Sequence, residues 1–216
     1  AALDAQIKKL TPVAPEPVGD SLEGLAEGTA TWYRVAYRIM TFDAGFDGQI
    51  AYAAKLVLKG KARYEAVAKM IGWSPAYWWV IGIVHYKEAS CSFAGILHNG
   101  EKIIGTGKKT TLVPKGRGPF STWEEAAVDA LKIENLGKLT DFEVGSLLHA
   151  VERYNGTGYI SGAGKADTSP YLWGMTSIND GTGLYVRDGK YDPNFTSNGS
   201  AGFCAIMKWL EMAGEI

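Results

Sequence analysis

Cysteine is scarce in this chain: its 216 residues hold two, Cys91 and Cys204. They allow at most one disulfide, and neither has the C-x-x-C spacing of a structural zinc or dithiol redox site. The redox compartment stays open. An excess of either charge is also lacking, with 22 Lys and Arg against 23 Asp and Glu and a formal charge of -1. No run of basic residues is present to neutralise phosphates, which excludes a nucleic-acid partner. Long apolar runs are missing too. The longest, Ala76 to Val84, is broken by aromatics and Gly82 and falls short of the roughly 18 residues a membrane span needs. No integral membrane segment is expected. The start, AALDAQIKKL, has no basic stretch followed by an apolar one, so no secretory signal is read. Neither H-E-x-x-H nor G-x-S-x-G occurs, and there is no internal repeat.

What is present is apolar and aromatic material: 46% hydrophobic residues and 12% aromatics, including seven Trp. That suffices for a packed core in one domain of ordinary size. Glycine is over-represented, with 27 residues of which 19 follow residue 94.

Residues 11 to 20, TPVAPEPVGD, carry three Pro in ten positions. They cannot continue a helix or a central strand, so residues 1–20 read as an arm and 21–216 as the folded domain. Apolar residues at three- and four-residue spacings predict helices over Thr31–Thr41, Gln49–Leu58 and Lys61–Ile71. Ser74-Pro75 supplies an N-cap and a first-turn Pro for a helix from Ala76 to about Ser90, apolar on nearly every face as far as His85 and therefore central. Asn99-Gly100 and the β-branched TTLVP segment predict a hairpin between Leu97 and Pro114. Ser121 or Thr122, each with Glu three residues on, opens a helix to about Ile133. Thr140 with Glu143 repeats the device for a helix ending at Tyr154, where Asn155-Gly156 can turn left-handed. A Gly-rich stretch runs to residue 202, and Phe203–Met212 closes the chain as an amphipathic helix. The fold class is mainly α: about seven helices with a small β-hairpin wing. Gly-rich stretches of this length usually line a site or lid.

Glu88 is the first residue that can carry chemistry. At the end of a buried helix its carboxyl emerges from an apolar wall, where desolvation keeps an acid protonated near neutrality. The same position is equally that of a helix surfacing into solvent. Glu101 follows the Asn99-Gly100 turn. On a hairpin folded back over the helix end it would face Glu88 across a cleft, as paired carboxylates do in glycosidases, or it is simply a polar turn residue beside Lys102. Tyr154, Asn155 and Tyr159 in ERYNGTGY, and Tyr171 and Trp173 in SPYLWG, offer hydroxyls, an amide and flat apolar faces suited to gripping sugar, or they cap the core. His85, His98 and His149 raise a metal question without the clustering a metal site requires. Cys91 near His85 is a thiol nucleophile or a small buried residue.

The order of these segments, from KARYEAVAKMIGWSPAYWWVIGIVHYKEAS through SFAGILHNGEKI, TTLVPKGRGPFSTWEEAAVDALK, ERYNGTGY and SPYLWG to YVRDGKYDP, resembles phage and prophage endolysin-like proteins of the lysozyme-like superfamily. The likeness covers about residues 61–210. It implies the mainly α lysozyme fold, nearest to goose-type lysozymes and soluble lytic transglycosylases, with peptidoglycan as substrate and no cofactor. Within it Glu88 falls on the acid at the end of the central helix, and Tyr154-Asn155-Gly156 is similar to the tyrosine-asparagine motif along the glycan groove. Asn99-Gly100-Glu101 matches a hairpin that usually reads HNGDP, with Glu101 in place of Asp and Lys102 in place of Pro. Transglycosylases usually have Ser directly after the acid, whereas here Ala89 precedes Ser90. The expected activity is a muramidase cleaving the N-acetylmuramic acid to N-acetylglucosamine β-1,4 bond with Glu88 as general acid and Glu101 as the second catalytic group. Ser90, Asn99, Tyr154, Asn155, Tyr159, Tyr171 and Trp173 are the substrate-binding residues on this reading. A lytic transglycosylase and a non-catalytic wall-binding or virion module are the alternatives. The expected state is a monomer acting on the bacterial wall from the periplasm or from outside the cell, made in a host cytoplasm and released at lysis.

Overall fold

The computed structural model describes residues 19–164, 168–179, 181–187, 189–196 and 199–216. Most of the arm expected over 1–20 lies outside them. At its inner end, Asp20 pairs with Arg38 at 3.0 Å.

Among the described residues the chain forms α1 (Ala30–Ile39), α2 (Asp47–Lys59), α3 (Lys61–Met70), a 3₁₀ turn (Pro75–Tyr77), α4 (Trp78–Ala89), α5 (Trp123–Ile133), a 3₁₀ turn (Leu136–Lys138) and α6 (Val144–Asn155). There follow α7 (Gly158–Ser161), α8 (Pro170–Trp173), strands β1 (Thr182–Arg187) and β2 (Lys190–Thr196), and α9 (Phe203–Met212). The architecture is mainly helical with one two-stranded antiparallel sheet, as the sequence predicts. Helix α4 runs through the core: its residues from Trp78 to His85 are all buried. It packs against α2, α3 and α9, while α1 packs against α6.

Local chemistry sets the helix ends. Ser74 Oγ accepts from Ala76 N–H at 3.3 Å and starts the turn that leads into α4. Of the two possible starts of α5, Thr122 is the cap, in a reciprocal capping box with Glu125. The cap expected at Thr140 is displaced. Glu143 itself caps α6, accepting from Gly145 N–H at 3.0 Å, and the helix start lies against α1 so closely that a Cβ on Gly145 would sit 2.1 Å from Ala30 O. At the other end of α6, Gly156 has φ +113° but ψ 159°, an extended conformation open to glycine rather than a left-handed helical turn.

The hairpin expected between Leu97 and Pro114 is not formed. Glu101 takes the amides of Thr111 at 2.9 Å and Leu112 at 3.2 Å onto its carboxylate, so these N–H groups bond a side chain instead of a facing strand. Asn99 Oδ1 accepts from Glu101 N–H at 3.1 Å, closing a side-chain turn. The β-hairpin lies instead at 182–196, inside the Gly-rich stretch, with Tyr185 opposite Tyr191.

Candidate active site

Two open pockets, of about 620 and 630 Å³, meet at Asn155 and Gly156. The second is lined by Glu88, His98, Thr111–Lys115, Glu134, Arg153 and Tyr154. The first is lined by Lys87, Thr157–Tyr159, Pro170, Tyr171 and residues of the β-hairpin, including Leu184 and Tyr185. The end of α4 therefore feeds one residue into each pocket, Lys87 and Glu88 in succession.

Glu88 is half-buried, and Tyr171 donates its hydroxyl to Glu88 Oε1 at 2.9 Å. Burial raises the carboxyl pKa from 4.5 to about 7, while the Tyr171 hydrogen bond and the Lys87 charge pull it down and the Glu134 charge pushes it up. Near neutral pH a large fraction of Glu88 thus carries its proton. Two constraints hold the helix end in place. Ser90 terminates α4 in the left-handed conformation with φ 49°. Gly100, at φ +77°, comes so close that a Cβ would lie 2.6 Å from Glu88 O. Only glycine satisfies both the backbone angle and that approach.

The other expected site residues divide into two groups. Tyr154 lines the Glu88 pocket and donates to Leu97 O at 2.8 Å, fastening α6 to the segment after α4. Asn155 is exposed where the two pockets meet. Tyr159 and Tyr171 line the first pocket, with Tyr159 Oη accepting from Tyr185 N–H at 3.3 Å. Each of these four lines at least one of the two pockets, and Tyr171 bonds Glu88 directly.

The rest are not. Trp173 is not an exposed platform: it is 1% exposed and packs in the core, stacked on Tyr33 with ring centres 6.4 Å apart. Ser90 is an exposed helix cap and lines neither pocket. Asn99 and Glu101 form a loop clamp. Asn99 Nδ2 donates to Glu101 Oε2 at 3.0 Å and Val113 O at 3.2 Å, and Glu101 also accepts from Thr111 Oγ1 at 2.6 Å. These hydrogen bonds, led by the Thr111 hydroxyl, hold the Glu101 carboxyl below its ordinary pKa. Glu101 is not among the residues lining either pocket. The carboxylate that shares a pocket with Glu88 is Glu134, at the end of α5. Nothing local in the sequence distinguishes Glu134 from a solvated helix end; only the packing of α5 brings it there. For Lys87 the one local signal is its position beside Glu88; its partners Ser200 and Ala201 are distant in sequence.

The three histidines lie in separate surroundings. His85 is buried between Tyr64 Oη at 2.9 Å and Ser92 O at 3.1 Å. A carbonyl only accepts, so Nε2 carries the proton and Nδ1 accepts from Tyr64. His98 stacks on Phe120 and pairs with Asp129 at 2.8 Å, and Asp129 is also paired with Arg117. His149 stacks against Tyr33. Among the described residues no group of three His, Cys, Asp or Glu side chains is arranged to hold a metal ion. Cys91 and Cys204 are both free thiols, and burial pushes the Cys91 thiol up to about 11, which leaves it protonated and a poor nucleophile. No helix among the described residues is long and apolar enough to cross a membrane.

No family model, curated protein or solved structure matches this chain.

Proposed function

We propose that the chain is a peptidoglycan-cleaving glycosidase of the lysozyme type, a muramidase in which Glu88 is the general acid. One observation carries the reading: a carboxyl whose pKa is raised to about 7 stands at the end of the buried central helix, in an open pocket, with Tyr171 hydrogen-bonded to it. Such a group can give a proton to a glycosidic oxygen near neutral pH. The C1–O bond then breaks and positive charge develops on the sugar ring. Water completes a hydrolysis; the sugar's own 6-hydroxyl completes a lytic transglycosylation with an anhydro product.

A pair of neighbouring pockets that share Asn155 and Gly156 suits an extended polymer better than a compact ligand. Tyrosines along the first pocket supply stacking faces, and the near-zero net charge fits a sugar chain. If a second carboxyl participates, Glu134 shares the pocket, whereas Glu101 is engaged with loop amides. This favours a single-acid reading in which either attack on C1 remains chemically available. The working partner is the bacterial wall, and the protein acts there as a monomer without a cofactor. In a turbidity assay on peptidoglycan, Glu88→Gln should remove lysis while leaving the melting temperature unchanged. Retained lysis removes Glu88 from this role.

A further inference from the structure

The first pocket holds a cation that the acid chemistry does not use. Lys87 Nζ donates to Ser200 Oγ at 2.9 Å and Ala201 O at 3.3 Å, and stands 5.3 Å from the centre of the Tyr171 ring. An ammonium has three N–H donors, so these two acceptors leave one. Both acceptors are neutral, and no carboxylate lies within ion-pair distance of Lys87 among the described residues. Every other described residue lining that pocket is uncharged. Its neighbour Glu88 lines the other pocket, and with a pKa of about 7 it is only partly ionised near neutral pH. Taking an ammonium out of water is costly, and burial pulls the Lys87 pKa down to about 8 even though the Glu88 charge pushes it up.

The surroundings narrow the missing counter-ion. One ammonium with one remaining donor matches a monoanion; a phosphate would be met by a guanidinium fork or several cations. Tyr159, Tyr171 and Tyr185 border the same space and offer apolar faces to an organic group. Glycine makes room for this wall: a Cβ on Gly158 would lie 2.5 Å from the Tyr185 ring. The pocket shares Asn155 and Gly156 with the Glu88 pocket, which places it beside a branch from a sugar bound near Glu88.

We propose that the first pocket binds a carboxylate-bearing peptide arm of the wall polymer, with Lys87 as its counter-ion. This rests on the glycosidase reading above and adds a requirement to it: recognition of the peptide-substituted sugar over bare glycan.

The test measures binding to the uncut-ligand variant Glu88→Gln with three probes. These are an N-acetylglucosamine oligomer, a disaccharide carrying its stem peptide, and the same disaccharide with the peptide replaced by a neutral methylamide on the lactyl group. The peptide-bearing disaccharide is expected to bind about tenfold tighter than its peptide-free form, the yield of one charge-assisted hydrogen bond. Adding Lys87→Met should bring that ratio to about one, whereas Lys87→Arg should keep most of it. Should Lys87→Met fail to fold, the ratio in Glu88→Gln alone should shrink as salt is raised. Equal binding of the two disaccharides, or a ratio that survives both Lys87→Met and high salt, overturns the peptide site and leaves the glycosidase reading standing. Failure of all three probes to bind overturns both.

Discussion

Tyr171 Oη donates a 2.9 Å hydrogen bond to Glu88 Oε1, joining the short helix α8 to the end of the central helix α4 across 83 residues of sequence. The bond favours the carboxylate, yet burial outweighs it and leaves Glu88 near pKa 7. The activity of a general acid with this value falls about tenfold per pH unit on the alkaline side. Tyr171→Phe removes the donor that stabilises the charged form. Its alkaline limb should therefore move to higher pH than that of the wild type, read from kcat/KM against pH on a soluble glycan. A limb that moves down, or stays fixed, separates Tyr171 from the acid.

Glu101 and Glu134 should respond differently. Glu101→Gln weakens a clamp made of loop amides and the Thr111 hydroxyl, so the melting temperature should drop while a substantial part of the lytic rate survives at low temperature. Glu134→Gln should leave the fold unchanged and alter the pH profile, since the Glu134 charge raises the Glu88 pKa: the alkaline limb should shift to lower pH. Complete inactivation of a fully folded Glu101→Gln protein would restore Glu101 as the second catalytic carboxyl.

Gly100→Ala tests the packing of the loop on the helix end. With φ +77° and a Cβ position 2.6 Å from Glu88 O, the methyl group cannot be accommodated without moving one backbone against the other. The expected cost is on the order of 1 to 3 kcal/mol in chemical denaturation, with lysis falling more than stability alone explains. Wild-type activity in this variant would show that the loop does not position Glu88.

A second buried acid governs stability against pH. Glu152 is 2% exposed, its Oε1 has no hydrogen-bond partner among the described residues, and burial raises its pKa from 4.5 to about 8. Below pH 4.5 the carboxyl is protonated in folded and unfolded chains alike, so burial then carries no ionisation penalty. Between pH 4.5 and 8 the unfolded chain releases the proton and the folded one does not, so stability falls as pH rises. Glu152→Gln should flatten that decline and gain on the order of 3 kcal/mol at pH 8 relative to pH 4.5. Parallel denaturation curves across this range would contradict it.

The helices were largely legible because their signals are local. Three-and-four spacing gave α1 to α3 to within two residues at each end, Phe203–Met212 matches α9 at both ends, and Ser74-Pro75 marked the approach to α4. The position of Glu88 at the end of that helix was legible for the same reason. What failed depended on contacts distant in sequence. Asn99-Gly100 is a genuine turn signal, but whether strands follow depends on which acceptor the amides of Thr111 and Leu112 find, and Glu101 supplies it. Trp173 sits in a Gly-rich segment that reads as exposed, and its burial follows from rings supplied by α1, Trp32 and Tyr33. Lys87 acquires its significance from Ser200 and Ala201, more than a hundred residues on.

The central claim, that Glu88 is the acid of a sugar-cleaving site, is tested most directly by mass analysis of soluble products from purified peptidoglycan treated with the wild-type protein and with Glu88→Gln. The wild type should release fragments ending at a cleaved or anhydro N-acetylmuramic acid, and a fully folded Glu88→Gln protein should release none. Free peptides alone from the wild type, no soluble product at all, or the same glycan fragments from Glu88→Gln would contradict it.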